Sequence, residues 1–210
     1  MERGKLIILE GVGGAGKSTQ IGLLKEHLDS VDKKVVVTRE PGGVTEAEVI
    51  RKLIFELKGA EAINADHQMA LFFAARYFWM LKLLSPNISL GVNVVSDRCF
   101  TTTAAYQGYA EGGSLLTIEK IARVVMGEYW PDAVVLLDVS AKEAMRRGED
   151  KGEFDPFDLQ GADYFRRVVE GYREMAATNW AGIQWYVVNG EKSIEEVARE
   201  LQQVVDGVIG

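Results

Sequence analysis

Gly11-Val12-Gly13-Gly14-Ala15-Gly16-Lys17-Ser18-Thr19 follows a four-residue apolar run, Leu6 to Leu9, and leads into a stretch of helical spacing. The order of strand, glycine-rich loop, Lys-Ser pair and helix decides the fold. Glycines reach backbone conformations closed to other residues, so successive N–H groups can turn inward and cradle phosphate oxygens. The helix that follows adds its positive N-terminal end. Lys17 supplies a point charge to the terminal phosphates, and the Ser18 hydroxyl is a ligand suited to Mg²⁺. Gly11, Gly13, Gly14, Ala15, Gly16, Lys17, Ser18 and Thr19 are therefore the expected phosphate-binding set, with Lys17 also acting in catalysis.

Outward from this loop, short β-branched runs alternate with longer helical patterns, the mark of a parallel sheet covered by helices. Strands are expected at Lys5–Leu9, Lys34–Thr38, Val92–Ser96, Ala133–Asp138 and Gln184–Val188. All five read as apolar runs buried on both faces. Helices are expected at Lys17–Ser30, Thr45–Lys58, Asp66–Leu84, Ser114–Met126, Ala141–Arg147, Asp163–Thr178 and Ser193–Val208, the last opening on a Ser193…Glu196 capping box. The expected fold is α/β: a doubly wound five-stranded parallel sheet of P-loop type, helices on both faces, one domain over residues 1–210. The glycine-rich acidic stretch Gly148–Gly161 reads as a short mobile lid or as plain surface.

Twenty-four Lys and Arg against 31 Asp and Glu leave a net charge of −7 over 210 residues. That balance argues against a nucleic-acid polymer or an anionic membrane as partner. It leaves small phosphorylated molecules open, because a few local donors outweigh a global charge. The single cysteine, Cys99, excludes an intramolecular disulfide framework and any CxxC metal site. No apolar run approaches the length of a membrane span, and the amino-terminal run is too short for a signal sequence. A cytoplasmic protein is expected.

A second element is Asp97-Arg98 at the end of the third strand. Ligands of open parallel sheets sit at the carboxyl ends of the strands. Asp97 is placed there to reach a metal, and Arg98 to clamp a phosphate. A GTPase would carry an N-K-x-D segment, which is absent. A small kinase would need an arginine-lined acceptor pocket, and the remaining motifs meet that demand. They are Thr38-Arg39-Glu40-Pro41-Gly42-Gly43, Phe72-Phe73-Ala74-Ala75-Arg76, the run from Asp97 to Gly108, and Tyr129-Trp130-Pro131-Asp132.

With Glu10 and the phosphate loop, these motifs resemble the thymidylate (dTMP) kinase family, over nearly the whole chain. The resemblance implies transfer of the ATP γ-phosphoryl group to dTMP, with ATP and Mg²⁺ bound, and commonly a homodimer. Helix Asp66–Leu84, with Phe78, Trp79 and Met80, would suit such an interface or equally the core. The resemblance places Arg39, Glu40, Pro41, Arg51, Phe72, Arg76, Arg98, Thr102, Thr103, Tyr106 and Gln107 in the acceptor pocket. Phe72 and Arg76 are four apart and share a helix face; the resemblance has them stack on the thymine ring and bond its O4. It gives the acceptor phosphate to Arg98. Arg51 lines the same pocket or is a solvated helix charge. Thr102, Thr103, Tyr106 and Gln107 match positions reading base edge and sugar. Ser18 and Asp97 are the expected metal pair.

Three positions depart from the family pattern. Gly13 stands where a loop carboxylate is usual, Gly14 where one subtype has arginine, and Thr102 where serine is expected. With Lys151 the lone cation of the acidic stretch, Arg146 and Arg147 become candidates to neutralise the transferring phosphoryl group or flank the adenine. Arg147 is expected to act on lid closure. The departures keep three alternatives open: a kinase for dUMP or a modified pyrimidine deoxynucleotide, a deoxynucleoside kinase using Glu40 as base, and a nucleotide-binding protein that has lost transfer.

Overall fold

The computed structural model describes residues 3–59, 63–151, 156–157 and 160–210. Five strands, β1 Leu6–Glu10, β2 Val35–Arg39, β3 Asn93–Asp97, β4 Ala133–Asp138 and β5 Gln184–Asn189, form one sheet in the order β2-β3-β1-β4-β5. Every pairing is parallel, with Leu9 opposite Asp97 and Glu10 opposite Leu136. Around it lie helices α1 Lys17–Ser30, α2 Thr45–Gly59, α3 Ala65–Trp79, α4 Ser85–Ser89, α5 Phe100–Thr103, α6 Leu115–Met126, α7 Ala141–Lys151, α8 Ala162–Thr178 and α9 Ile194–Ile209.

β1 is buried along its whole length, as a central strand with helices on both sides must be. The edge strands differ from expectation. β2 is half-buried, and β5 is buried only at Trp185 and Val188, which lie on opposite faces, while Val187 is 58% exposed. An edge strand has one uncovered flank, so its apolar run does not imply burial on both faces.

The expected helix from Asp66 is longer and less regular. α3 passes without a break into a π-helical turn, Met80–Leu84, and then α4. Pro86 has no N–H to give to the preceding turn, where the ladder widens, and the Asn87 side-chain amide donates to the Leu83 carbonyl at 2.7 Å. Trp79 is fully buried and donates its indole N–H to Thr38 Oγ1 at 3.2 Å, which makes it a core residue and not an interface one. A second π-helical stretch, Ala104–Ala110, continues α5, where no helix was expected. At the carboxyl end, Ser193 and Glu196 close the capping box reciprocally. α7 runs through Lys151, so the start of the expected lid is helical. Residues 152–155 and 158–159 of that stretch lie outside the described residues.

Candidate functional site

β1 delivers the chain into the phosphate loop, and α1 starts at Lys17. Gly16 is the left-handed N-cap of that helix, with φ 91°, and a Cβ there would meet open space. Gly14 is constrained differently. Its φ is 76°, and a Cβ would fall 2.1 Å from the carbonyl oxygen of Ala144 on α7. The loop therefore rests directly on the α7 backbone, and no side chain, arginine included, fits at that position. Lys17 folds over the loop and donates to the carbonyls of Gly11 and Val12, each at 2.9 Å.

Two cavities meet at the carboxyl ends of the central strands. One, of about 510 Å³, is walled by Gly13 through Thr19, by Arg146 and Arg147 of α7, and by Gly190, Lys192, Ile194 and Val197. The other, of about 240 Å³, is walled by Arg39, Glu40, Pro41, Phe72, Thr102, Tyr106 and Gln107, and by Phe55 and Phe157. Ser18, Arg51, Asp97 and Arg98 line both. Arg51 is thus no stray helix charge: its Nη1 donates to the Pro41 carbonyl at 3.1 Å, and its guanidinium lies over the Phe55 ring at 4.4 Å.

Arg98 has φ 75°, a left-handed conformation that costs a residue with a Cβ about 1–2 kcal/mol. Three bonds hold it there. Its N–H donates to the Leu9 carbonyl at 3.0 Å, its own carbonyl accepts from Ser96 Oγ at 2.8 Å, and the next N–H, of Cys99, donates to Glu10 Oε1 at 3.1 Å. Glu10 is fully buried and also accepts from Thr101 Oγ1 at 2.5 Å, and from Thr102 Oγ1 and the Tyr172 phenol at 2.7 Å each. The strained arginine therefore stands on a carboxylate satisfied from several sides. Burial opposes the charge on Arg98, but Tyr106, Tyr172, Asp97 and Glu10 outweigh it and hold its pKa well above the ordinary arginine value. Burial, then Glu10, pushes the Tyr172 phenol well up, so it stays a donor.

Arg76 and Thr103, both expected in the acceptor pocket, are almost fully buried and are not among the residues that wall it; Arg76 adjoins it through Glu40. Arg76 Nε is 2.6 Å from Glu40 Oε2, and its Nη1 has no hydrogen-bond partner. Arg39 is exposed and pairs with Glu48 at 2.9 Å. Burial raises the Cys99 thiol well above its usual value, as does the neighbouring Glu40, so it is no nucleophile. Arg147 is held in the larger cavity by Glu143 Oε1 at 2.7 Å and the Gly190 carbonyl at 2.8 Å. Hydrogen bonds from Arg146 and Arg147 bring the Glu143 carboxyl down to about 2.

The sequence reading missed Phe55, Phe157, Tyr172 and the part played by Glu10. Phe55 follows Arg51 by four residues on α2, a spacing that could have flagged it. Phe157 sits in the stretch read as a mobile lid or plain surface, and it is 4% exposed, with its ring 5.6 Å from Phe72 and 6.0 Å from Phe55. Nothing local in the sequence points to Tyr172.

Whether the junction suits a metal can be judged from its own atoms. Asp97 Oδ1 is buried without a hydrogen-bond partner, and the Ser18 hydroxyl lines the same junction. Hard oxygen donors of this kind fit Mg²⁺. No cluster of three or more His, Cys, Asp or Glu that could hold a metal occurs among the described residues. A protein supplying so few ligands suits an ion held mainly by phosphates.

Comparison with known proteins shows the family. The family model described as thymidylate kinase matches residues 9–201. The thymidylate kinase of Nitrosospira multiformis is 36% identical, covering 97% of each chain. That of Hahella chejuensis is 34% identical, covering 97% of this chain and 96% of its own. Among solved structures, the thymidylate kinase from Ehrlichia chaffeensis superposes with a TM-score of 0.77 at 28% identity, over 97% of this chain and 99% of the other.

Proposed function

The chain belongs to the thymidylate kinase family and moves the γ-phosphoryl group of ATP to dTMP to give dTDP, and from that premise we propose how its residues divide the work. The larger cavity takes ATP and the smaller one dTMP. The observation that carries this reading is the sharing of Ser18, Arg51, Asp97 and Arg98 between the two cavities. A phosphoryl group passing between two nucleotides must cross such a boundary.

Loop amides and Lys17 hold the donor phosphates. Ser18 and Asp97 hold Mg²⁺, which offsets the charge on the donor phosphates when bound. Arg98 and Arg51 align the acceptor phosphate, an anion that attacks without a general base, so catalysis is positioning and electrostatics. Phe72 stacks on the base, Gln107 reads its edge, and Thr102 and Tyr106 border the sugar. Arg76 steadies this wall through Glu40, and Arg147 serves the donor nucleotide from the rim. Glu40 is committed to Arg76, which disfavours the deoxynucleoside-kinase alternative.

A homodimer fits exposed apolar residues on neighbouring helices: Val49 and Leu53 on α2, Tyr77 on α3, and Leu116 and Val124 on α6. No helix among the described residues is long and apolar enough to cross a membrane. A cytoplasmic setting, where ATP and dTMP are found, fits the reading.

The test is a set of kinetic constants. Arg98→Ala is expected to lower kcat/KM for dTMP by about 100-fold or more, as loss of a charge-assisted contact to phosphate implies. Asp97→Asn is expected to raise the Mg²⁺ concentration needed for half-maximal rate. Unchanged constants in both variants would remove this assignment.

A further inference from the structure

One polar chain reaches the acceptor cavity from behind, and its direction is set outside the cavity. Gln68 Nε2 donates to the backbone carbonyl of Ile63, just ahead of α3, at 3.1 Å. A carbonyl only accepts, so the Gln68 amide must turn its nitrogen toward Ile63 and its oxygen away. Gln68 Oε1 in turn accepts from Gln107 Nε2 at 3.0 Å, which orients the second amide in the same sense. Gln107 lines the acceptor cavity, and its Oε1 is buried without a hydrogen-bond partner. Both glutamines are 1% exposed, so bulk water cannot rescue a flipped arrangement. Turning either amide would set like atoms against each other in a buried place.

We propose that Gln68 is a specificity-determining positioning residue, carrying the polarity of the Ile63 carbonyl to Gln107 and fixing Gln107 Oε1 as an acceptor toward the base. The inference rests on the reading that this cavity takes the acceptor base. An acceptor at that place suits a pyrimidine with N–H at ring position 3, as in thymine or uracil. Cytosine carries a lone pair at the same ring position and is turned away. Gln68 itself does not line the cavity; it acts through Gln107.

The experiment measures kcat and KM for dTMP and dCMP, with KM for ATP, in the wild-type enzyme and three variants. Gln68→Met keeps the volume and removes both hydrogen bonds, so the Gln107 amide can turn. The ratio of kcat/KM for dTMP over dCMP is then expected to fall by at least about 10-fold, with KM for ATP unchanged. Gln68→Lys donates to Ile63 and to Gln107 alike, so Gln107 must present nitrogen to the base, and the ratio is expected to fall further. Gln68→Glu, protonated in this buried place, can donate to Ile63 and accept from Gln107, and is expected to keep the wild-type ratio. A merely structural role would move KM for both acceptors together and leave the ratio alone.

A wild-type ratio kept in Gln68→Met and Gln68→Lys, both shown to be folded by their thermal melts, overturns the proposal alone. A wild-type enzyme that uses dCMP as well as dTMP overturns it together with the reading of the cavity.

Discussion

Arg76 Nε lies 2.6 Å from Glu40 Oε2, with both side chains almost fully withdrawn from water. A buried pair of this kind is costly to break from one side, about 3–5 kcal/mol, because a lone charge is left behind. The two sides are not equivalent. A stranded carboxylate can take up a proton, whereas a guanidinium cannot give one away. Glu40→Leu is therefore expected to destabilise the fold more than Arg76→Met at neutral pH, and the double variant less than the sum of the singles. Urea denaturation of the four proteins checks this. Equal losses that add without coupling would show that the contact carries no energy.

The same pair gives a pH dependence with a definite sign. Burial raises the pKa of Glu40 above its ordinary value of 4.5, and Arg76 only partly offsets the rise. A carboxyl raised in the folded state contributes its full stability below 4.5, where it is protonated in both states. That contribution is lost as pH climbs through the raised value. The stability difference between wild type and Glu40→Gln is thus expected to shrink as pH rises from 4.5 through the raised value, in the opposite sense to a surface carboxylate paired with arginine. Denaturation midpoints across that range measure it.

The two glycines of the phosphate loop should respond differently to a methyl group. Gly16→Ala has room and meets only the left-handed backbone penalty, about 1–2 kcal/mol. Gly14→Ala suffers that penalty and also drives its Cβ into the Ala144 carbonyl of α7. It is expected to lose more stability than Gly16→Ala and to weaken ATP binding, since α7 must move and carries Arg147 with it. Calorimetric binding of ATP to both variants gives the comparison.

Arg147 stands fixed between Glu143 and the Gly190 carbonyl, on the wall of the larger cavity. A residue so anchored serves the donor nucleotide more directly than the acceptor. Arg147→Ala is expected to lower kcat/KM for ATP by about 10-fold to 100-fold, the cost of one charge-assisted hydrogen bond, while KM for dTMP stays put. In the same variant the Glu143 carboxyl should titrate above its native value of about 2, because one of its two arginines has gone. Carboxyl NMR shifts against pH follow this directly. An unmoved kcat/KM would remove Arg147 from the site.

What the sequence made legible was what local spacing encodes. The phosphate loop, five strands and the Ser193 cap are all written in neighbouring residues. The strand-end pair Asp97-Arg98 followed from knowing where ligands sit on a parallel sheet. The π-helical turns at Met80–Leu84 and Ala104–Ala110 were not legible, since neither strand nor α-helix period describes them. The second of these carries Tyr106 and Gln107 to the cavity. Gln68 was hidden for another reason: its partners lie in a loop carbonyl five residues back and in a side chain 39 residues on. Phe157 was masked by its acidic neighbours, although its ring packs with Phe72 and Phe55. Glu10 was read only as the first residue of the phosphate-loop motif, with no role of its own. Its worth appears when Thr101, Thr102 and Tyr172 converge on it from elements far apart in the chain.

The most direct test of the central claim is the initial rate of ADP and nucleotide product release with ATP and Mg²⁺ against dTMP, dUMP and thymidine. Two cavities joined at Ser18, Arg51, Asp97 and Arg98 predict dTDP formed in equal amount with ADP, fastest with dTMP, and abolished by chelating the metal. ATP binding without dTDP, or phosphorylation of thymidine alone, would contradict the account.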